Sequence, residues 1–178
     1  MVERIKILIG KIEIPERKEI GLVMKLIPRG FSNLGLPPTL VSCTRDVFEQ
    51  NIVLSMDKLV KIALTITSVA AQLHSKGIMH GDLYAHNILI NKDADTLFGD
   101  FGAASFYDKN SSSAHIIERI EVRAFGYFLD DLLSILISNE NSEKQYVIES
   151  IRDRCLSHEI GNRPDFTEIL NEMNVLVN

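Results

Sequence analysis

Two short stretches of the chain carry the residue types best suited to chemistry. The first reads His80-Gly-Asp-Leu-Tyr-Ala-His-Asn87, and the second reads Gly99-Asp-Phe-Gly102. Asp and Asn side chains offer the carboxylate and amide oxygens that Mg²⁺ prefers as ligands. Each stretch alone is a weak signal, because such short patterns occur by chance. Their combination in this order, after a long amphipathic helical pattern and joined by a hairpin pattern, is specific.

In this order the two stretches resemble the protein kinase superfamily, whose catalytic loop reads His-Arg-Asp-Leu-x-x-x-Asn and whose metal-binding motif reads Asp-Phe-Gly. The spacing of 13 residues from Asn87 to Asp100 matches that family. The resemblance implies that Asp82 accepts or orients the proton of an acceptor hydroxyl. It also implies that Asn87 and Asp100 hold Mg²⁺ for phosphoryl transfer from ATP. By the same resemblance His80 supports the loop, and Gly102 lets the backbone turn sharply after the metal ligand.

Two segments in the second half of the chain favour a protein kinase over a small-molecule kinase. The form His-Gly-Asp-Leu also occurs in aminoglycoside phosphotransferases and choline kinases, which keeps that alternative open. Residues 121–132 resemble the central buried helix of protein kinases, with Glu121 at the position of the usual Asp. Residues 155–170, which include Arg163, resemble the closing segment of tyrosine-kinase-like enzymes. The resemblance therefore gives Glu121 and Arg163 structural roles, with Glu118 as a candidate partner for Arg163.

The N-terminal part resembles the last two strands and the hinge of a kinase N-lobe. Residues 5–9 and 20–27 are apolar runs around a charged turn, and this pattern predicts a β-hairpin. The resemblance places Met24 near the gatekeeper position and assigns Lys25, Leu26 and Ile27 to the hinge, whose backbone would hydrogen-bond the adenine of ATP. Residues 28–38 carry Pro, Gly, Ser and Asn, which are typical of an irregular connection. The sequence thus predicts a single kinase-like domain, with residual N-lobe strands in residues 1–27 and a C-lobe in residues 28–178.

Several parts of the kinase N-lobe are absent from this sequence. It contains no Gly-x-Gly-x-x-Gly loop, and no Val-Ala-x-Lys strand precedes Ile5. Kinases use these parts to cover and position the phosphates of ATP, so no ATP-binding lysine is assigned here. Three interpretations follow: a fragment or a misplaced start, a truncated pseudokinase that binds a partner, or a minimal kinase completed by another chain.

The catalytic stretch departs from the family pattern as well. Gly81 stands where kinases carry the Arg that answers activation-loop phosphorylation, so control through that Arg is not expected. Tyr84 stands where serine/threonine kinases carry a Lys, and the Arg that tyrosine kinases place near the position of His86 is absent. The hydroxyl specificity therefore stays open. Only 18 residues separate Gly102 from Glu121, without an Ala-Pro-Glu motif, although peptide substrates normally dock on this segment.

Composition bounds the class of protein. A chain of 178 residues makes about one domain, and 46% hydrophobic with 24% charged residues is typical of a globular protein. The net charge of −5 disfavours nucleic acid as a partner. Cys43 and Cys155 show no ligand spacing and fit a reducing cytoplasmic setting. No signal peptide or membrane span is predicted, since the longest weakly polar run, residues 62–73, is too short.

The remaining elements are mostly helical. Apolar residues recur every three or four positions over residues 58–76, which predicts a helix between Ser55 as N-cap and Gly77. Further helices are predicted over residues 122–137, over residues 143–156 and after Asp165, with short strands at residues 88–90 and 96–98. The expected fold is α+β: a kinase-like, mostly helical C-lobe with a residual N-lobe β-hairpin and hinge. The expected function is an ATP- and Mg²⁺-dependent protein kinase, with a protein substrate or an N-lobe-completing chain as partner. The alternatives are an inactive partner-binding module and a small-molecule kinase.

Overall fold

The computed structural model of the protein describes residues 8–14, 16, 19–42, 44–137 and 143–177. Short strands surround the first of four helices, and the other three helices follow one another. In chain order the elements are β1 (Leu8–Ile14), β2 (Glu19–Met24), β3 (Ser32–Asn33), α1 (Met56–Ser75), β4 (Ile78–Met79), β5 (Ile88–Ile90), β6 (Thr96–Phe98), β7 (Ser105–Phe106), α2 (Ala114–Ser134), α3 (Glu143–Cys155) and α4 (Phe166–Val175).

A hairpin forms in the predicted region, but its strands have other bounds: β1 continues to Ile14 rather than ending at residue 9, and β2 is shorter than predicted. β1 and β2 pair antiparallel, with Lys11 opposite Leu22 and Leu8 opposite Met24. β2 ends at Met24 rather than residue 27, and residues 25–28 are irregular. Part of the predicted hairpin lies outside the described residues, namely residues 5–7, Pro15, Arg17 and Lys18.

Helix α1 is the centre of the core. It begins after Ser55, whose side chain accepts a hydrogen bond from the Lys58 amide, and Gly77 follows its C-cap with a φ of +69°. The predicted helix is therefore confirmed to within two residues at each end. Its apolar face is buried against α4 and the sheet strands, and it comprises chiefly Leu59, Ile62, Ile66, Val69 and Leu73.

Helix α2 begins eight residues earlier than predicted. The buried apolar residues of α2 start at Val122, whereas residues 114–120 are exposed or half-buried and mix apolar with charged side chains, so no buried apolar stripe marks these two turns as helix. Phe125 and Leu129 lie in the core, where α2 packs on α3. A Cβ atom on Gly126 would lie 2.8 Å from the Cβ atom of Cys155, so this glycine permits the close approach of the two helices.

Helix α4 starts with the predicted capping box. The Asp165 side chain accepts from the Glu168 amide at 2.8 Å, and the Glu168 carboxylate accepts from the Asp165 amide at 2.7 Å.

Cys155 is buried and unpaired, whereas Cys43 lies outside the described residues.

Two small antiparallel sheets frame the loops between α1 and α2. One sheet has the order β3-β5-β6, and the other pairs β4 with β7. The β5 and β6 strands were predicted, but the two-residue strands β3, β4 and β7 are too short for an alternating pattern to show. The stretch from His80 to Asn87 lies between β4 and β5, and Asp100 lies just after β6. The sheets therefore hold the two chemically interesting stretches.

Candidate active site

Hydrogen bonds join the loop from His80 to Asn87, here termed the catalytic loop, to the turn that carries Asp100. The Gly99 amide donates to the Asn87 carbonyl oxygen at 3.0 Å. The His80 ring bonds the Gly99 carbonyl oxygen through Nε2 at 3.1 Å. Because Gly99 directly precedes Asp100, both ends of the loop are fixed beside the second stretch.

Asp82 and Asn87 form one polar pair within the loop. The Asn87 Nδ2 donates to the Asp82 carboxylate at 2.8 Å and to the Asp82 carbonyl oxygen at 3.0 Å. The Asp82 side chain remains 39% exposed, so a reacting group can reach it. With its Nδ2 occupied, Asn87 keeps its Oδ1 without a hydrogen bond to any described residue. That oxygen is available as a ligand.

Asp100 has a left-handed backbone, with φ of +58°. Asp tolerates this region better than most residues, because its short side chain can bond locally. Its carboxylate accepts from the Gly102 amide at 3.2 Å and is exposed. Gly102 itself has no positive φ, so the sharp turn expected at Gly102 occurs at Asp100 instead. A Cβ atom on Gly102 would lie 3.1 Å from the Asp100 carboxylate.

His80 is a buried support for both stretches. Its Nε2 bonds a carbonyl oxygen, which can only accept, and its Nδ1 accepts from the Asp82 amide at 3.3 Å, so the ring is the neutral Nε2–H tautomer. Burial lowers the pKa of His80, although the negative charge of Glu121 acts to raise it. Burial thus keeps the ring neutral. The ring stacks on Phe98 with centroids 3.9 Å apart and contacts Phe101 at 4.7 Å.

Glu121 holds the start of the catalytic loop from below. Its carboxylate accepts from the Gly81 amide at 2.7 Å, from the His80 amide at 3.1 Å and from the His74 ring at 2.7 Å. The side chain is 2% exposed. Burial alone would raise the pKa of Glu121, but the hydrogen bonds from His74 and from Gly81 outweigh it and lower the pKa. Glu121 therefore anchors the loop as a buried carboxylate.

The backbone at the start of the catalytic loop requires a glycine at position 81. Its φ is +80°, and a Cβ atom there would lie 2.7 Å from the Ala103 carbonyl oxygen. A side chain at Gly81 would therefore push the turn after Asp100 away from the catalytic loop. The residue that replaces the usual Arg is thus also the residue that allows these two backbones to touch.

Three residues near the loop were not found by sequence analysis. His74, at the end of α1, bonds Glu121 and also the Tyr107 hydroxyl at 2.9 Å. Asp46 accepts from the Ala85 amide at 2.7 Å, and its burial raises its pKa to about 7. The His86 ring lies 4.0 Å from the Asp82 carboxylate. Only His86 had a signal, since it stands four residues after Asp82; His74 and Asp46 come from distant segments.

Arg163 and Glu118 do not pair, so that expectation is wrong. Arg163 is 5% exposed and donates to the Ser157 carbonyl oxygen at 2.9 Å and the Arg119 carbonyl oxygen at 3.1 Å. Glu118 instead accepts from the Phe166 amide at the start of α4, at 3.1 Å. The first amide of a helix has no intrahelical partner, which explains why the carboxylate bonds there.

The segment assigned to the hinge, residues 25–27, is an irregular connection after β2, with Leu26 90% exposed. The chain beyond it is fastened to the catalytic loop. The Leu34 amide donates to the Ile88 carbonyl oxygen at 2.8 Å, and the Gly35 amide donates to the Ala85 carbonyl oxygen at 3.1 Å.

The donor set of the site fits Mg²⁺. Asn87 offers an amide oxygen and Asp100 a carboxylate, and Mg²⁺ binds through one or two such groups with water and phosphate completing its shell. Among the described residues no three His, Cys, Asp or Glu side chains converge on one point, so nothing there resembles an all-protein metal cage. The described helices include none with the length and apolar character needed to cross a bilayer.

Comparison with known proteins identifies the family. A family model of the protein kinase domain matches residues 18–124. Relatives include the lectin-domain containing receptor kinase VI.3 of Arabidopsis thaliana, 31% identical over 66% of this chain and 16% of the relative. Mitogen-activated protein kinase kinase 10 of the same plant is 28% identical over 54% of this chain and 33% of its own length. A probable serine/threonine-protein kinase of Dictyostelium discoideum is 37% identical over 36% of the chain and 4% of the relative.

The chain belongs to the protein kinase family, and its α+β kinase-like fold is confirmed. It spans no more than a third of the length of these three relatives. The family match ends at residue 124, whereas α3 and α4 continue the same packed core beyond it.

Proposed function

We propose that this chain carries the catalytic part of an ATP- and Mg²⁺-dependent protein kinase. One observation supports this most: the Asn87 side chain bonds the solvent-accessible Asp82 carboxylate, and the Gly99 amide, next to Asp100, bonds the Asn87 carbonyl oxygen. The amide oxygen of Asn87 and the carboxylate of Asp100 are ligand types suited to Mg²⁺. Phosphoryl transfer requires both features, an acceptor hydroxyl held in place and neutralised phosphate charge.

Each residue has a distinct proposed role. Asp82 holds the acceptor hydroxyl and takes its proton, while the Asn87 amide orients the Asp82 carboxylate. Asn87 Oδ1 and the Asp100 carboxylate would hold Mg²⁺, which neutralises charge on the phosphates when bound. His80 and Glu121 position these groups without touching ATP. The backbone of residues 25–27 is the proposed partner of adenine, as in the hinge of the family.

The proposed acceptor is a serine or threonine hydroxyl of a protein. Support comes from relatives whose names include serine/threonine-protein kinase. The segment between Gly102 and α2 consists of residues 103–113, which is too short to form an extended peptide-docking surface. We therefore expect the acceptor to contact the catalytic loop directly.

The test separates nucleotide binding from transfer. Mg²⁺–ATP at about 100 times its dissociation constant should stabilise the chain by roughly 2.7 kcal/mol, or several degrees in melting temperature. Asp100→Ala should lose this shift, whereas Asp82→Asn should keep it and lose transfer of labelled γ-phosphate to a protein acceptor. Asp93→Asn, which removes an exposed carboxylate in the β5–β6 turn, is the matched control and should change neither readout.

The outcomes distinguish the alternatives. A Mg²⁺-dependent shift without transfer to any protein would favour an inactive partner-binding module. Transfer to choline, sugars or aminoglycosides but not to proteins would select a small-molecule kinase. Unchanged transfer in Asp82→Asn would show that the assigned base is wrong.

A further inference from the structure

The outer face of the first half of α2 is basic and partly apolar. His115, Ile116, Arg119, Ile120 and Arg123, here called the basic face, lie within one side of the helix by their spacing. Ile116 is 39% exposed and Ile120 is 55% exposed. Neither the Arg119 nor the Arg123 side chain forms an ion pair with a described carboxylate.

The acidic residues of this half of α2 point away from the basic face. Glu118 bonds the first amide of α4, and Glu121 is buried under the catalytic loop. Asp130 and Asp131, further along the helix, pair with Arg45. The chain carries a net charge of −5, yet this face is positive. The fold therefore separates charge rather than neutralising it locally.

Arg163 adds a buried positive charge beneath the same face. Its guanidinium bonds only carbonyl oxygens among the described residues, one of them that of Arg119. Buried charged groups are normally paired with an opposite charge. Here burial and the positive charge of Arg123 lower the pKa of Arg163, and no carboxylate of the described residues bonds its guanidinium. An anion at the surface above Arg163 would relieve this repulsion.

Arg123 is held in place at the surface by Tyr127. Its guanidinium carbon lies 5.7 Å from the centroid of the Tyr127 ring, and its Nη2 lies 3.4 Å from the Tyr127 hydroxyl. A guanidinium already fixed against an aromatic ring loses less conformational entropy when it binds an anion. Tyr127 also lines a small cavity with Tyr84 of the catalytic loop.

We propose that the basic face docks an acidic, partly apolar segment of another protein. Carboxylate side chains of the partner would meet Arg119 and Arg123, and its apolar side chains would cover Ile116 and Ile120. Charge complementarity of this kind sets specificity and speeds association. The inference does not depend on phosphoryl transfer, because an inactive chain would present the same face.

The test measures binding of a fluorescent peptide of alternating Glu-Glu-Leu triplets to the full chain, by anisotropy at low and high salt. Arg119→Gln with Arg123→Gln should weaken binding by roughly tenfold or more. Lys58→Gln with Lys92→Gln removes the same charge from exposed sites elsewhere and should change affinity less than about twofold.

A second variant tests the apolar contribution. Ile120→Ser should weaken peptide binding several-fold without altering the salt dependence of the affinity, because the substitution removes apolar contact but no charge. Thermal unfolding of each variant verifies that it is folded.

Three results would overturn the proposal. The first is no binding of the peptide to the unmodified chain. The second is an equal loss in the two double variants, which would mean general attraction to positive charge. The third is tighter binding of a single-stranded oligodeoxynucleotide of equal charge, which would identify the face as a nucleic-acid surface instead.

Discussion

The buried carboxylate of Glu121 is the point where the core and the catalytic loop meet, and its removal is the sharpest test of the structure. Glu121 accepts three hydrogen bonds, from the Gly81 and His80 amides and from the His74 ring. In Glu121→Ala all three buried donors lose their acceptor. In Glu121→Gln one acceptor oxygen remains, but the new side-chain NH₂ group is a donor and faces groups that are themselves donors.

The magnitude follows from the number and burial of these bonds. A buried donor left without its acceptor costs about 1–3 kcal/mol, since it remains in a medium that cannot hydrate it. With three such donors, we expect Glu121→Ala to lower the free energy of unfolding by about 4 kcal/mol. For a domain of this size such a loss corresponds to a fall of about 10 °C in melting temperature. Glu121→Gln should lose about half as much.

Urea unfolding followed by circular dichroism is the assay, with Glu159→Ala as the control at an exposed position. A double-mutant cycle of Glu121→Gln with His74→Gln isolates the pair itself and should give a coupling energy above about 1 kcal/mol. The slope of unfolding free energy against urea should be unchanged in each variant, because the fold is retained.

The interpretation fails if Glu121→Ala changes the unfolding free energy by less than about 0.5 kcal/mol, the range of an ordinary surface substitution. Additive effects of Glu121→Gln and His74→Gln would likewise show that the 2.7 Å contact contributes nothing to stability.

Two further predictions concern the same loop. Burial raises the pKa of Asp46 from 3.8 to about 7, so the folded state retains a proton that the unfolded state releases, and stability falls as pH rises between these values. Asp46→Asn should remove this fall, so from pH 5 to pH 8 its free energy of unfolding should rise by about 2 kcal/mol relative to that of the unmodified chain. Identical pH profiles of urea unfolding for the two proteins would contradict the assignment. Gly81→Ala should destabilise by about 2 kcal/mol or more, because its Cβ atom meets the Ala103 carbonyl oxygen at a positive φ. Gly161→Ala, with open space around its Cβ position, should stay within about 0.5 kcal/mol, and equal effects of the two substitutions would remove the steric explanation.

Local signals in the sequence were enough for the helices with clear ends. α1 follows from its apolar spacing with Ser55 before it and Gly77 after it, and α4 follows from its capping box. The start of α2 could not be predicted, because its first two turns mix exposed or half-buried apolar and charged residues and carry no buried apolar stripe. The two-residue strands β3, β4 and β7 exist only through pairing with distant partners.

The sequence by itself pointed to the candidate residues Asp82, Asn87 and Asp100, because they lie in two short stretches whose order and spacing are a local property of the chain. Only the tertiary structure decided what supports them. Asp46 and Glu121 reach the loop from segments about 40 residues away, and no local pattern records such contacts. The same holds for Arg163, whose expected carboxylate partner is replaced by backbone carbonyls. Side-chain partners depend on where the packed helices bring distant residues together, which neither propensity nor periodicity encodes.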